Sequence, residues 1–200
     1  LKAAILYLVD MQAGGGVLYL RNEIIRMNTP VKFSSVSKPA DFQQIQALAD
    51  TIWREHYIPI IGLGQVDYML AKFQSSEAIQ QQIVGGMYYY TVSYKNVSIG
   101  YFAFEKRGEE LFLSKIYILK EYRGRGMGMD SMHFVAEKAR ELGCKRIALT
   151  VNKYNNRSIM AHKRMGFKQT EAVIVDIGGG FVMDDYRMVK ELKGSEGLTV

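Results

Sequence analysis

Between residues 31 and 36 apolar and polar positions alternate over a short run, the pattern of an edge strand. The period then lengthens. Phe42, Ile45, Leu48, Ala49, Ile52 and Trp53 recur in steps of three and four, which predicts an amphipathic helix reaching about Tyr57. Ser37 is its predicted N-cap, with Pro39 at an early helical position, and Pro59 with Gly62 and Gly64 predicts its interruption. Val66, Met69, Leu70 and Phe73 mark a second helix, and Ser76-Glu77 opens a third that ends at Gly85-Gly86. At Met87 the pattern turns to strands: 88–93 and 99–105 about a Lys95-Asn96 turn, then 111–118 after Arg107-Gly108. Met129, Met132, Val135, Ala136, Ala139 and Leu142 line one face of a helix closed by Gly143. Residues 146–151 are almost continuously apolar, as a buried central strand requires. A helix over 158–165 stops at Gly166, and two strands, 168–177 and 181–190, flank three glycines. Periodicity alone makes this a mixed α/β chain.

The stretch 116–128 carries the most chemistry. An apolar strand, Ile116-Tyr117-Ile118, breaks into Arg123-Gly124-Arg125-Gly126-Met127-Gly128 and then enters a helix. Glycines at 124, 126 and 128 let the backbone approach a ligand closely. A helix N-terminus just behind them offers unpaired N–H groups and the positive end of a dipole. Such an arrangement suits a pyrophosphate. It is neither a P-loop, for which no Lys-Ser/Thr follows, nor a Gly-x-Gly-x-x-Gly dinucleotide fingerprint.

Arg123-x-x-Gly126-x-Gly128 resembles the acetyl-CoA pyrophosphate loop of the GNAT superfamily of N-acetyltransferases. A second stretch resembles that family's other signature: a strand ending at Val151, then Asn155, a short helix and a closing Gly166-Phe167. The resemblance covers roughly 31–190 and is specific over 111–167. It implies an α/β (α+β) GNAT fold, a mixed, mostly antiparallel central sheet flanked by helices, with strands splayed at the acetyl-CoA site.

It also implies roles. The loop N–H groups of Gly124, Arg125, Gly126, Met127 and Gly128 would hold the pyrophosphate, with charge from Arg123 and Arg125. Main-chain groups of Ile116 and Ile118 would pair with the pantetheine arm, with backbone donors near Ile118 polarising the thioester carbonyl. Asn155 would meet the same arm or cap its helix. His162 stands where many members have Tyr, as the acid for the departing CoA thiolate or as a packed helix residue; Tyr154 and Tyr117 are alternatives. Glu55 and Glu105 are candidate bases. His56, Trp53, Tyr57 and residues 88–90 are acceptor-pocket or core residues. The implied activity is acetyl transfer from acetyl-CoA, the cosubstrate, to a primary amine by direct attack. A polyamine, an amino compound and a peptide or protein amine remain open as acceptors. The other reading is a non-catalytic acyl-CoA-binding regulatory module.

Composition sets bounds. Two hundred residues, 48% hydrophobic and 23% charged, describe one globular domain. A net charge of +6 is either a scattered surface excess or a preference for anionic ligands. No nucleic-acid-reading motif accompanies it, so no nucleic acid is expected. Cys144 is the single cysteine, which excludes an internal disulfide and suits a reducing cytoplasm; it is a reactive thiol or a small filler. His56, His133 and His162 are too far apart in sequence for a metal motif. No segment approaches the roughly 20 apolar residues of a membrane span. Residues 1–30 are set apart as an extension, an appended element or a non-native leader, ahead of the 31–192 domain and a 193–200 tail. A homodimer through the C-terminal strands is the family-level expectation.

Overall fold

A computed structural model describes residues 31–192; the extension and tail distinguished above lie outside the described residues. The chain runs β1 (Lys32–Ser35), α1 (Pro39–Ile61), α2 (Leu63–Phe73), α3 (Ser76–Val84), β2 (Tyr88–Tyr94), β3 (Val97–Arg107), β4 (Glu110–Ile118), α4 (Met127–Glu141), β5 (Arg146–Asn152), α5 (Asn156–Arg164), β6 (Lys168–Gly178) and β7 (Phe181–Glu191). Seven strands form one sheet in the order β1-β2-β3-β4-β5-β7-β6. Every neighbouring pair is antiparallel except β4 and β5. This is the mixed, mostly antiparallel architecture that the resemblance implied. Among the described residues, no helix is long and apolar enough to cross a membrane.

Alternation along the strands sends side chains to two separate cores. On one face α1, α2 and α3 bury Ile45, Ile52, Trp53, Val66 and Ile79 against Tyr89, Tyr101 and Ala103. On the other, α4 and α5 bury Met132, Val135, Ala139 and Ile159 against Phe102, Phe104, Ile147 and Leu149. Burying each large side chain contributes about 1.5–3 kcal/mol relative to exposure. Cys144 belongs to the second core, where burial pushes its thiol pKa up; it is a filler.

Element boundaries moved where local bonding outweighed the pattern. Helix α1 is entered through Lys38 rather than Ser37: the Asp41 carboxylate accepts from both the Ser37 and Lys38 N–H groups at 3.0 Å. It continues through Pro59 to Ile61, because a proline in the last turn sacrifices a single intrahelical bond. Gly62, at φ +81°, ends it. Gly64 lies inside α2. Helix α5 begins at Asn156, two residues early, because Asn155 Oδ1 accepts from the Ser158 N–H at 3.3 Å.

Two features of β4 position the site. Ala103 pairs with Lys115 and Phe104 with Leu113, so Ser114 is an extra residue that bends the strand. Gly100 of β3 lies against Tyr117 and Ile118; a Cβ there would collide with the Tyr117 carbonyl oxygen. The close approach of β3 to the end of β4 therefore requires glycine.

Candidate active site

Strand β4 leaves β5 soon after meeting it. The parallel pairing runs only from Glu110↔Arg146 to Phe112↔Ala148. Beyond Phe112 the strands part, and a cleft of about 1080 Å³ opens between them, walled also by α1, α5 and β7. Leu119 N–H donates to the Ile99 carbonyl. Strand alternation then turns the polar groups of Ile118 and Ile116 away from β3, toward this gap. Both residues line the cleft.

The loop after β4 forms the cleft's outer end. Gly124 (φ +75°) and Gly126 (φ +91°) hold left-handed conformations that turn the chain into α4, a helix of 15 residues. A Cβ built on Gly124 or Gly128 meets nothing within 4 Å. Among the described residues, no backbone N–H from Gly124 to Gly128 finds an acceptor; the first helical donors, Met129 and Asp130, both bond the Gly126 carbonyl. Five consecutive N–H groups are thus unpaired at the positive end of a helix, in a loop whose Gly124, Gly126 and Gly128 line the cleft.

The other sequence-predicted residues divide. Arg123, Asn155 and His162 line the cleft. Arg123 Nε donates to the Ile118 carbonyl at 2.7 Å, so that acceptor is already engaged. Arg125 does not line the cleft; its guanidinium lies 5.7 Å from the Tyr122 ring centroid. The Met127 side chain is buried in the core, leaving only its N–H to the loop. Of the candidate bases, Glu55 pairs with Lys120 at 2.9 Å and Glu105 with Arg107 Nε at 2.8 Å, and neither lines the cleft. Tyr154 is exposed, whereas Tyr117 is half-buried and in the cleft wall. Trp53, His56 and Tyr57 line the cleft too, whereas Tyr88 and Tyr90 stack on Phe104 and Phe102.

Burial governs the titrations here. His162 packs edge-on against Phe167, its Nδ1 is buried without a partner, and burial pushes its pKa down to about 4. At neutral pH it is an uncharged imidazole, able to hydrogen-bond but rarely carrying a second proton. Because the folded state binds fewer protons than the unfolded chain below pH 6.5, acid costs stability as pH falls from 6.5 toward 4, by up to about 3 kcal/mol. His162→Phe should flatten that part of the Tm–pH curve, as thermal melts of the two proteins between pH 4.5 and 7.5 will read. A variant as acid-sensitive as the parent would contradict it.

Burial also pushes the Tyr57 hydroxyl up to about 12, with Tyr117 and Asn155 hydrogen-bonding in the opposite sense. The same Asn155 amide neighbours His56, whose pKa is lowered by burial first and then by the Arg123 charge.

Two cleft residues had no place in the sequence reading. Asp185 of β7 is 8% exposed and has no cationic partner among the described residues; burial raises its pKa, with the Thr150 hydroxyl in opposition. Lys115 of β4 is 6% exposed, and burial pushes its pKa down to about 8. A lone charge in an otherwise apolar strand was the available signal for Lys115; nothing local distinguished Asp185 from Asp184.

The model of the acetyltransferase (GNAT) family matches residues 46–167, more than half of the chain. The thialysine N-epsilon-acetyltransferase of Bos taurus is 36% identical over 74 residues, 36% of this chain and 44% of that protein. An uncharacterized N-acetyltransferase of Mycobacterium bovis is 36% identical over 80 residues, 40% and 51% of the two chains. The matched stretch thus spans about half the length of these relatives or less. Among solved structures, the PaiA N-acetyltransferase of Thermoplasma acidophilum, in complex with coenzyme A, superposes with a TM-score of 0.69 at 17% identity, covering 82% of this chain and 99% of that one. The matched residues take in most of helix α1, the splayed strands, the glycine loop and the Gly166-Phe167 turn, and the chain belongs to the GNAT family of acetyltransferases.

Proposed function

We propose that this protein transfers the acetyl group of acetyl-CoA to a primary amine by direct attack, without a covalent enzyme intermediate. The observation that carries the reading is the row of five unpaired N–H groups in the loop whose Gly124, Gly126 and Gly128 line the cleft between β4 and β5. Residues and ligand chemistry fit: a diphosphate suits consecutive N–H donors at a helix start, and an amide-bearing arm suits the outward backbone of Ile116 and Ile118. Acetyl-CoA supplies a thioester carbonyl open to an amine and a thiolate that leaves.

The chain's own residues do the rest. The Arg123 tether to Ile118 leaves its terminal nitrogens for phosphate. Asp185 receives the proton that the attacking ammonium must lose. The neutral His162 offers the departing sulfur a hydrogen bond, and a thiol of ordinary pKa near 8.5 needs little more. Holding amine and thioester together supplies much of the acceleration. A relative named for acetylating the ε-amine of thialysine supports an amine acceptor. The reading includes a cytoplasmic setting and a homodimer through β6, an edge strand whose Ile174 is 71% exposed.

The test is calorimetric titration with acetyl-CoA followed by thiol release over a panel of amines. Micromolar binding with amine-dependent release is expected. Binding without release to any amine would leave a non-catalytic acyl-CoA-binding module, and no binding would end both readings.

A further inference from the structure

The charges in the cleft wall are unevenly placed. Arg123 follows β4, and Arg157 and Arg164 lie on α5, at the loop and helix side of the cleft. Lys115 is apart from them. Its Nζ donates to Gln82 Oε1 of α3 at 2.6 Å and lies 5.3 Å from the Tyr89 ring centroid. Gln82 is itself fixed, accepting from the Tyr89 hydroxyl at 2.7 Å and donating to the Phe73 carbonyl at 3.0 Å. The ammonium therefore has a defined place, with Ser114 Oγ and Met87 Sδ as its other polar neighbours.

No carboxylate pairs with Lys115 among the described residues. Glu105 is the one acid whose field it feels, and that acid is engaged by Arg107. Taking a lone cation out of water costs several kcal/mol, and such a group persists where an anion completes it. Asp185, the sole carboxylate in the cleft wall among the described residues, interacts with Tyr57 and Tyr117. Asp185 and Lys115 thus face the same α1–α3 side of the sheet, one on β7 and one on β4. The pair is one site for an ammonium and one for an anion.

We propose that Lys115 is a specificity-determining residue, and that the acceptor is an amine carrying a carboxylate, which Lys115 Nζ pairs with while Asp185 receives the amine. This rests on the acetyl-transfer reading and narrows it to amino acids and related amino carboxylates. Polyamines are disfavoured, because they would set a second cation against Lys115.

Matched probes test it: lysine against pentane-1,5-diamine, ornithine against butane-1,4-diamine, and β-alanine against ethylamine, each with saturating acetyl-CoA and thiol release as readout. The carboxylate-bearing member of at least one pair should be preferred by about tenfold or more in kcat/KM. Lys115→Met, a buried replacement of similar length, should bring that pair to near parity, chiefly by raising KM for the amino acid. Lys115→Arg should restore part of the preference. Turnover of the diamines or ethylamine alone would overturn the inference and leave acetyl transfer standing. A Lys115→Met loss shared equally by both members of a pair, or acetylation of the Lys115 amine itself, would also overturn it. Absence of turnover by every probe in a protein that binds acetyl-CoA would overturn the inference, while turnover of any other amine in the wider panel would leave acetyl transfer standing.

Discussion

Gly128→Glu is expected to weaken acetyl-CoA binding by at least about 100-fold, roughly 2.7 kcal/mol, in a protein at least as stable as the parent. The two effects separate because of where Gly128 sits. It is in the first turn of α4, its φ is not left-handed, and a Cβ there meets no atom within 4 Å. A side chain there therefore starts into open space rather than into the folded chain. Replacing glycine within a helix favours folding by about 0.5–1 kcal/mol, and an acid in the first turn adds a favourable dipole interaction. That same carboxylate would stand in the cleft wall beside the unpaired N–H groups and repel a diphosphate. Gly128→Lys blocks the space with the opposite charge, so the difference between the variants isolates the electrostatic part. Calorimetry with acetyl-CoA and a thermal melt read both quantities. Gly126 is less informative, since φ +91° strains any other residue there and confounds ligand loss with misfolding. Full affinity in Gly128→Glu would mean that the anion binds elsewhere.

What the sequence disclosed and what it withheld divide along local and non-local lines. The loop was legible because glycines at alternate positions before a helix have a local conformational meaning, and the positive φ values at 124 and 126 bear that out. The strands and helices followed from periods of two and three to four. Boundaries slipped by a residue or two where a single side chain decided them, as Asp41 does at the start of α1 and Asn155 at the start of α5. The parting of β4 from β5 came only by resemblance. It depends on an extra residue at Ser114 that no hydropathy pattern marks, and on pairing between strands nearly 40 positions apart. His162 could be placed on its helix face, but its burial, and hence its lost proton, required the neighbours that the fold supplies. Asp184 and Asp185 look alike in sequence. Only the register Asn152↔Asp185 shows which enters the cleft and which turns to pair with Lys153.

That distinction leads to the second large effect. Asp185→Asn should lower kcat by about 10²–10⁴-fold, the range lost with a positioned proton acceptor, while acetyl-CoA affinity stays near that of the parent. Asparagine keeps the shape and the hydrogen-bonding capacity but cannot take a proton. The stability change should have the opposite sign. Burial raises the folded pKa of Asp185 above its unfolded value, so between those two values the folded state binds more protons than the unfolded chain. Stability therefore falls as pH rises through that window, and at neutral pH the charged carboxylate destabilises the fold in full. The amide removes that cost, so the variant should melt higher at pH 7 and lose its advantage below pH 3.8. A group that is costly to the fold yet required for turnover is what a functional carboxylate looks like, since selection for stability alone would have replaced it. The decisive comparison is the pH–rate profile of the parent against that of Asp185→Asn. An acidic limb present in the parent and absent from the residual activity of the variant assigns the base. An unchanged limb would give the proton to water or to another group, and leave Asp185 a binding residue.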